Sequence, residues 1–221
     1  MAGAAPALAG CRLALALAID VSRSVDARDY IIQRDGLVAA LTDPAVRDAF
    51  LRPADHVALA VYEWSGRGYQ AVVADWTGIH ATADLDGVAA LIAGHERSPR
   101  SLPTALGWAL EFGRQLMAEA PDCEAQVLDV SGDGRNNDGM GPQAAYARRD
   151  FGGLTVNALA IGEHEADVVH YYRTEVIRGP GAFVEVAPTQ ADFPPAIRRK
   201  LLRELAERVF GMEAAGPEGR G

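Results

Sequence analysis

The residues with the most chemical content lie in Ala18-Ile19-Asp20-Val21-Ser22-Arg23-Ser24, where an apolar run ends in three side-chain oxygens at i, i+2 and i+4. In a loop leaving a strand, that spacing can turn all three the same way. Two further stretches add oxygen donors: Pro103-Thr104 supplies a hydroxyl, and Ser131-Gly132-Asp133-Gly134 a carboxylate. Asp20, Ser22, Ser24, Thr104 and Asp133 form an all-oxygen set, which suits a hard cation. Mg²⁺ takes octahedral geometry at about 2.0–2.1 Å, keeps several waters and needs few protein ligands. Mn²⁺ and Ca²⁺ are the alternatives. No Cys/His cluster competes, so zinc is not expected. Alone, Asp-x-Ser-x-Ser is a weak pattern, because Asp20 can simply end a strand and Ser24 or Asp26 can cap the next helix.

The elements around these segments decide whether they meet. Residues 13–20, 57–63, 70–76, 126–130, 154–161 and 182–186 read as strands, short apolar or β-branched runs bounded by turn residues. Helical spacing of apolar residues marks 26–41, 85–93, 104–120, 143–149 and 164–173. Thr42-Asp43-Pro44 stops the first of these. Phe193, Ile197, Leu201, Leu205 and Val209 recur every four residues and close the chain with an amphipathic helix. Ser65-Gly66-Arg67-Gly68 makes a hairpin of the second and third strands. Alternating strands and helices imply a doubly wound, mostly parallel sheet with helices on both faces. Ligands of such sheets sit beyond the carboxyl ends of the strands, at a switch point. The residues to watch are therefore those after Ile19, Val130 and Ile161.

Three pieces, in order and each at a strand end or helix start, resemble a known site. Asp20-x-Ser22-x-Ser24, Thr104 and Asp133-Gly134 look like the metal-ion-dependent adhesion site of von Willebrand factor A domains. Glu63-Trp64-Ser65-Gly66, the run from Val130 to Asn137, the run from Gly179 to Val184 and Arg198-Arg199-Lys200-Leu201 resemble a bacterial subfamily of these domains without assigned function. The resemblance spans about residues 11–210. It implies six strands with one antiparallel edge strand, direct ligation by Ser22, Ser24 and Thr104, and Asp20 and Asp133 acting through metal-bound water. It also implies an open metal position for the Asp or Glu of a protein partner, a charge-assisted contact. Ser101 competes with Thr104, because the wider family has glycine near this place. Asp129 competes with Asp133 but lies inside its strand. Asp133, Asn136, Asn137 and Asp138 are a candidate second cation loop, against the alternative of a solvated turn with left-handed asparagines.

Other chemistry is less well supplied. Gly66-Arg67-Gly68-Tyr69-Gln70-Ala71 matches a dinucleotide-binding pattern but precedes a strand where that pattern opens a helix. There is no G-x-S-x-G elbow or phosphate-binding loop. His56, His80, His95, His164 and His170 show no triad order. The expectation is a metal-dependent binding module and not an enzyme. The alternatives are a Mg²⁺/Mn²⁺-dependent phosphoester hydrolase and an assembly or chaperone-like accessory protein with a structural metal.

The 221 residues are 49% apolar with a formal net charge of −9, and no linker interrupts the middle. One domain is expected, over 11–210, with an N-terminal segment at 1–10 and a frayed tail at 211–221. The negative charge argues against nucleic acid and anionic membranes as partners, and no apolar run is long enough for a membrane helix. The run from Leu13 to Ile19 is a poor export signal, with one preceding charge, Arg12, and an aspartate where cleavage should follow. Residues 1–10 could be the remnant of one. The sequence carries no signal for an oligomeric state.

In the strand order the resemblance implies, the strands that follow Cys11 and Cys123 are parallel neighbours. Both cysteines then lie at the same bottom edge, about 4.8 Å apart, and a Cys11–Cys123 disulfide is expected over two buried thiols. An oxidised pair points to a periplasmic or secreted protein, a reduced one to the cytoplasm.

Overall fold

The computed structural model describes residues 10–52, 55–97, 101–165 and 167–211, and of 207–211 the backbone alone. The first strand, β1 (Cys11–Asp20), is buried along its length. Side chains alternate in a strand. The repeat of leucine and alanine therefore gives β1 one bulky face, Leu13, Leu15, Leu17 and Ile19, and one small face, Ala14, Ala16 and Ala18, in two separate cores.

The other strands are β2 (His56–Trp64), β3 (Gln70–Ile79), β4 (Gln126–Gly132), β5 (Thr155–Ile161) and β6 (Val184–Ala187). They form a six-stranded sheet in the order β3-β2-β1-β4-β5-β6. All pairs are parallel except β2 with the edge strand β3. Over the bulky face pack α1 (Ala27–Thr42), α2 (Pro44–Leu51), α3 (Thr82–Gly94) and α7 (Phe193–Gly211). Over the small face pack α4 (Leu106–Ala118), α5 (Pro142–Arg148) and α6 (Val168–Tyr171). The alanines let α4 come close: a Cβ at Gly113 would stand 2.6 Å from a Leu128 methyl and 2.7 Å from Tyr62 Oη.

The chain leaves β1 and β4 on opposite sides of their shared boundary, so the switch point lies where Asp20 and Gly132 end their strands. At the other end of the same two strands, Cys11 and Cys123 form a disulfide with Cα atoms 4.5 Å apart. Arg12 is buried beside it, its guanidinium donating to the carbonyls of Ala49, Phe50, Asp55 and Leu205. This arginine clamps the end of α2 and α7 to the base of β1.

Several expectations need correction. Asp43-Pro44 does stop α1, but it also starts α2. Asp43 accepts from the amides of Ala45 and Val46, and Pro44 takes the first helical position, where it lacks nothing. The helix expected from Thr104 begins at Leu106, leaving Thr104 in the preceding extended stretch. The helix expected over 164–173 shrinks to α6 and a π-turn at Tyr172–Val176. The expected strands over 70–76 and 182–186 are observed as β3, reaching Ile79, and β6, at Val184–Ala187. The readings of residues 1–9 as an export remnant and of 212–221 as a tail lie outside the described residues, as does the side chain of Val209. Among the described residues, no helix is long and apolar enough to cross a membrane.

Candidate metal centre

The loop after β1 is held from three sides. Val21 donates its amide to the Trp64 carbonyl, extending the β1–β2 pairing past Asp20. Arg23 donates its amide to Leu102, tying the loop to the stretch before α4. The Arg97 guanidinium reaches the carbonyls of Val21, Ser22 and Val25. Asp26 caps α1 through the amides of Arg28 and Asp29, so Ser24 is left for other work.

That work is at the switch point. The Ser24 hydroxyl donates to Asp133 Oδ1 at 2.6 Å and lies 3.2 Å from Ser22 Oγ. Thr104 Oγ1 donates to Ser22 Oγ at 3.3 Å. Asp20 Oδ1 accepts the Ser22 amide at 2.7 Å. The structure thus brings Asp20, Ser22, Ser24, Thr104 and Asp133 together from three chain segments, and Asp20, Ser22 and Asp133 are wholly buried.

Thr104 belongs to this cluster, and exposed Ser101 makes none of its contacts. Asp129 is elsewhere, beside Lys200 under α7. The candidate second cation loop has its oxygens committed. Asn137 Oδ1 accepts the Thr104 amide and Asn136 Oδ1 the Gly107 amide. Asp138 Oδ2 accepts the Arg67 amide, and the amides of Asn137 and Asp138 donate to the Thr104 carbonyl. These residues position Thr104. The expected left-handed asparagines are also absent: among the described residues only glycines have positive φ.

Two buried carboxylates in one cluster are electrostatically unstable without a cation. Burial, and then the neighbouring Asp133, push the Asp20 carboxyl up to about 8. Burial also raises Asp133, against the hydroxyl of Ser24. Asp20 Oδ2 is buried with no hydrogen-bond partner, and so are Tyr172 Oη and Trp64 Nε1. Gly132 separates these groups: a Cβ there would lie 2.3 Å from Tyr172 Oη and 2.9 Å from Asp20 Oδ2.

The donor set suits a hard divalent ion. Neighbouring ligands of an octahedral ion are √2 bond lengths apart, or about 2.9 Å for Mg²⁺ and roughly 3.3–3.7 Å for Ca²⁺. The hydroxyl separations of 3.2 and 3.3 Å lie close to both. Among the described residues, no group of three His, Cys, Asp or Glu is placed to hold a metal. An ion held here would take most of its protein ligands from hydroxyls.

The surroundings contain residues the sequence did not flag. Gln190 Nε2 donates to Asp133 Oδ2 at 3.3 Å and is itself oriented by Gln33 Nε2, 3.0 Å from its Oε1. His164 Nε2 is 3.9 Å from both Asp133 Oδ2 and Asp29 Oδ2. Gln33 and Gln190 lie far apart in sequence and carry no motif. Asn137 was singled out only as part of a candidate second cation loop, and nothing in the sequence pointed to its hold on the Thr104 amide.

A model of the family described as protein of unknown function (DUF1194) matches residues 10–209. The chain belongs to that family. No curated protein matches the DUF1194 chain by sequence. Its fold is that of von Willebrand factor A domains. It is similar to proximal thread matrix protein 1 of the mussel byssus, with TM-score 0.64 and 13% identity over 90% of this chain and 49% of that one. A second structure of that protein, described as having a zinc-occupied MIDAS motif, gives TM-score 0.61 and 15% identity over 90% and 48%. The von Willebrand factor type A protein of Catenulispora acidiphila gives 0.60 and 14% over 90% and 43%. BatB of Bacteroides thetaiotaomicron gives 0.54 and 15% over 88% and 99%. The DUF1194 chain thus spans about half or less of the first two proteins.

Proposed function

We propose that this domain is a metal-dependent protein-binding module. It holds one Mg²⁺ through the hydroxyls of Ser22, Ser24 and Thr104, with Asp20 and Asp133 acting through metal-bound water. A partner's Asp or Glu completes the metal's coordination. The observation that carries this reading is the convergence of five oxygen side chains at the switch point, with Asp20 Oδ2 left unpartnered. Three hydroxyls and two carboxylates are few ligands for Ca²⁺, which takes six to eight oxygens, and enough for Mg²⁺, which keeps its waters. The zinc-occupied MIDAS of the mussel protein supports a divalent ion in such a site. The ion would supply positive charge beside half-buried Ser24, and the chain's own residues fix where a carboxylate can approach.

The module is proposed to act without turnover. The disulfide supports a reading of the compartment as oxidising, periplasmic or secreted. The test is calorimetric titration with MgCl₂ and capture of partners from the native source, each with wild type and Asp20→Ala, with and without EDTA. One Mg²⁺ per wild-type chain, no uptake by Asp20→Ala, and capture only by wild type with Mg²⁺ are expected. Equal capture in all four arms overturns the reading. Phosphoester hydrolysis that needs Mg²⁺ and disappears in Asp20→Ala would make the site catalytic instead.

A further inference from the structure

One turn along from Thr104, the chain builds a second feature. Trp108 on α4, Arg67 at the tip of the β2–β3 hairpin, Met140 in the loop after β4 and Arg148 at the end of α5 line a cleft of about 480 Å³. The Arg67 guanidinium carbon lies 5.4 Å from the centre of the Trp108 ring, a cation–π stack. Trp108 Nε1 is buried and has no acceptor. It faces Gly139, where a Cβ would come within 3.0 Å and where φ is +67°. The walls therefore hold an aromatic side chain, its indole N–H buried against Gly139, and two guanidinium groups.

The charge of this cleft runs against the chain as a whole, whose net charge is −9. Among the described residues, neither Arg67 nor Arg148 pairs with a carboxylate. By contrast Arg47, Arg114, Arg149, Arg198 and Arg199 each do. Asp138, next in sequence to the lining residue Gly139, accepts the Arg67 amide. The cleft shares a loop with the metal centre, because Asp138 and Asn137 also hold the Thr104 carbonyl.

We propose that this cleft is a second contact for a protein partner and takes an acidic segment of it, with carboxylates on Arg67 and Arg148 and an apolar or aromatic side chain on Trp108 and Met140. This rests on the protein-binding reading and deepens it: the partner would carry further acidic residues beside the one that reaches the metal. Arginine is suited to such bidentate recognition of carboxylate.

The experiment uses the whole ¹⁵N-labelled chain and follows the Trp108 indole N–H resonance, assigned with Trp108→Phe. The probes are the blocked peptide Glu-Gly-Glu-Tyr-Glu, its counterpart Lys-Gly-Lys-Tyr-Lys and an oligothymidylate, each titrated in Mg²⁺ and in EDTA. A saturable shift of the Trp108 resonance with the acidic peptide alone is expected. Arg67→Gln with Arg148→Gln should raise its dissociation constant at least tenfold, with the remaining amide spectrum unchanged. A resonance that does not move at millimolar acidic peptide overturns the proposal. So does one that moves equally with the lysine peptide, one indifferent to the double substitution, or tighter binding of the oligothymidylate. The two readings fail separately. A Trp108 shift with no Mg²⁺ dependence supports the cleft and counts against the metal. Mg²⁺-dependent peptide binding that leaves Trp108 unmoved counts against the cleft alone.

Discussion

Lys200→Met is expected to destabilise the domain severely, and the structure gives the size. Lys200 is 0% exposed, with Nζ 2.8 Å from Glu204 Oε1 and 3.0 Å from Asp129 Oδ1. Nζ also lies 4.3 Å from the centre of the Phe183 ring, and Asn157 Nδ2 donates to the same Glu204 oxygen at 2.8 Å. Burial alone lowers the lysine's pKa, and Asp129 and Glu204 more than reverse it. Burial pushes Asp129 up to about 6 even with the lysine beside it. Removing the cation leaves two carboxylates in the core, a loss of about 3–5 kcal/mol for a broken buried pair. In a chain of this size that lowers Tm by roughly 6–20 °C.

The sign with pH follows from the raised Asp129. Its folded value lies above the unfolded value of about 3.9, so the folded state holds the proton more tightly. Losing Lys200 raises Asp129 further, so the deficit against wild type is full above the variant's folded pKa and shrinks as pH falls towards the wild-type value of about 6. Urea unfolding followed by circular dichroism should show a larger deficit at pH 8 than at pH 5. Asp129→Val with Lys200→Met and Glu204→Gln, which removes all three charges and keeps the acceptor for Asn157, should recover most of the loss. A deficit under about 1 kcal/mol at pH 8, or a triple variant no better than the single one, would refute the reasoning.

Three further outcomes are expected. Replacing Cys11 and Cys123 by serine frees a closed loop of 112 residues, a loss of about 4–5 kcal/mol in the chain-entropy model. Two alkylatable thiols in the native wild-type protein would contradict the bond itself. Gly132→Ala should cost about 1–3 kcal/mol by overpacking and weaken Mg²⁺ uptake, because the new methyl lands on Tyr172 and Asp20; unchanged melting and titration would show that the gap closes by relaxation. Mg²⁺ at about a hundred times its dissociation constant should stabilise the wild type by about 2.7 kcal/mol relative to EDTA, seen as a higher Tm that Asp20→Ala lacks.

The strand–helix alternation and the metal candidates were legible because both are local. The alternation of leucine and alanine in β1 declares a strand buried on two unequal faces. Asp20, Ser22 and Ser24 are adjacent in the chain, and the switch-point rule supplied Asp133. Thr104 was placed one element too far along, since helical periodicity does not mark where the first turn begins and Asn137 holds that residue extended. The second helix, α2, was missed for a related reason. Proline halts a helix from its interior and starts one from its first position, and Asp43 before Pro44 was the signal for the second case. Lys200, Glu204 and Asn157 could not be paired with Asp129 from sequence, because the contacts join α7 to two strands across the sheet. Arg12, noted in the sequence only as the one charge preceding the run from Leu13 to Ile19, is buried among four carbonyls.

The disulfide at the base of β1 and β4 also has a bearing on how the chain matures. The two strands it joins are those that end in Asp20 and lead into Asp133, and their partners run from Ala14 opposite Gln126 to Ala18 opposite Val130. A slip of one residue moves a strand by about 3.3 Å and turns its leucines to the wrong face. The native Cα separation of 4.5 Å lies at the short end of the roughly 4.4–6.8 Å that disulfides span, so the bond itself tolerates a small slip and the two unequal faces of β1 hold the register. Once formed, the bond keeps the bases of the two strands side by side. In the unfolded chain the same bond still tethers the starts of β1 and β4, so the loops that carry Asp20 and Asp133 find each other from a base already joined.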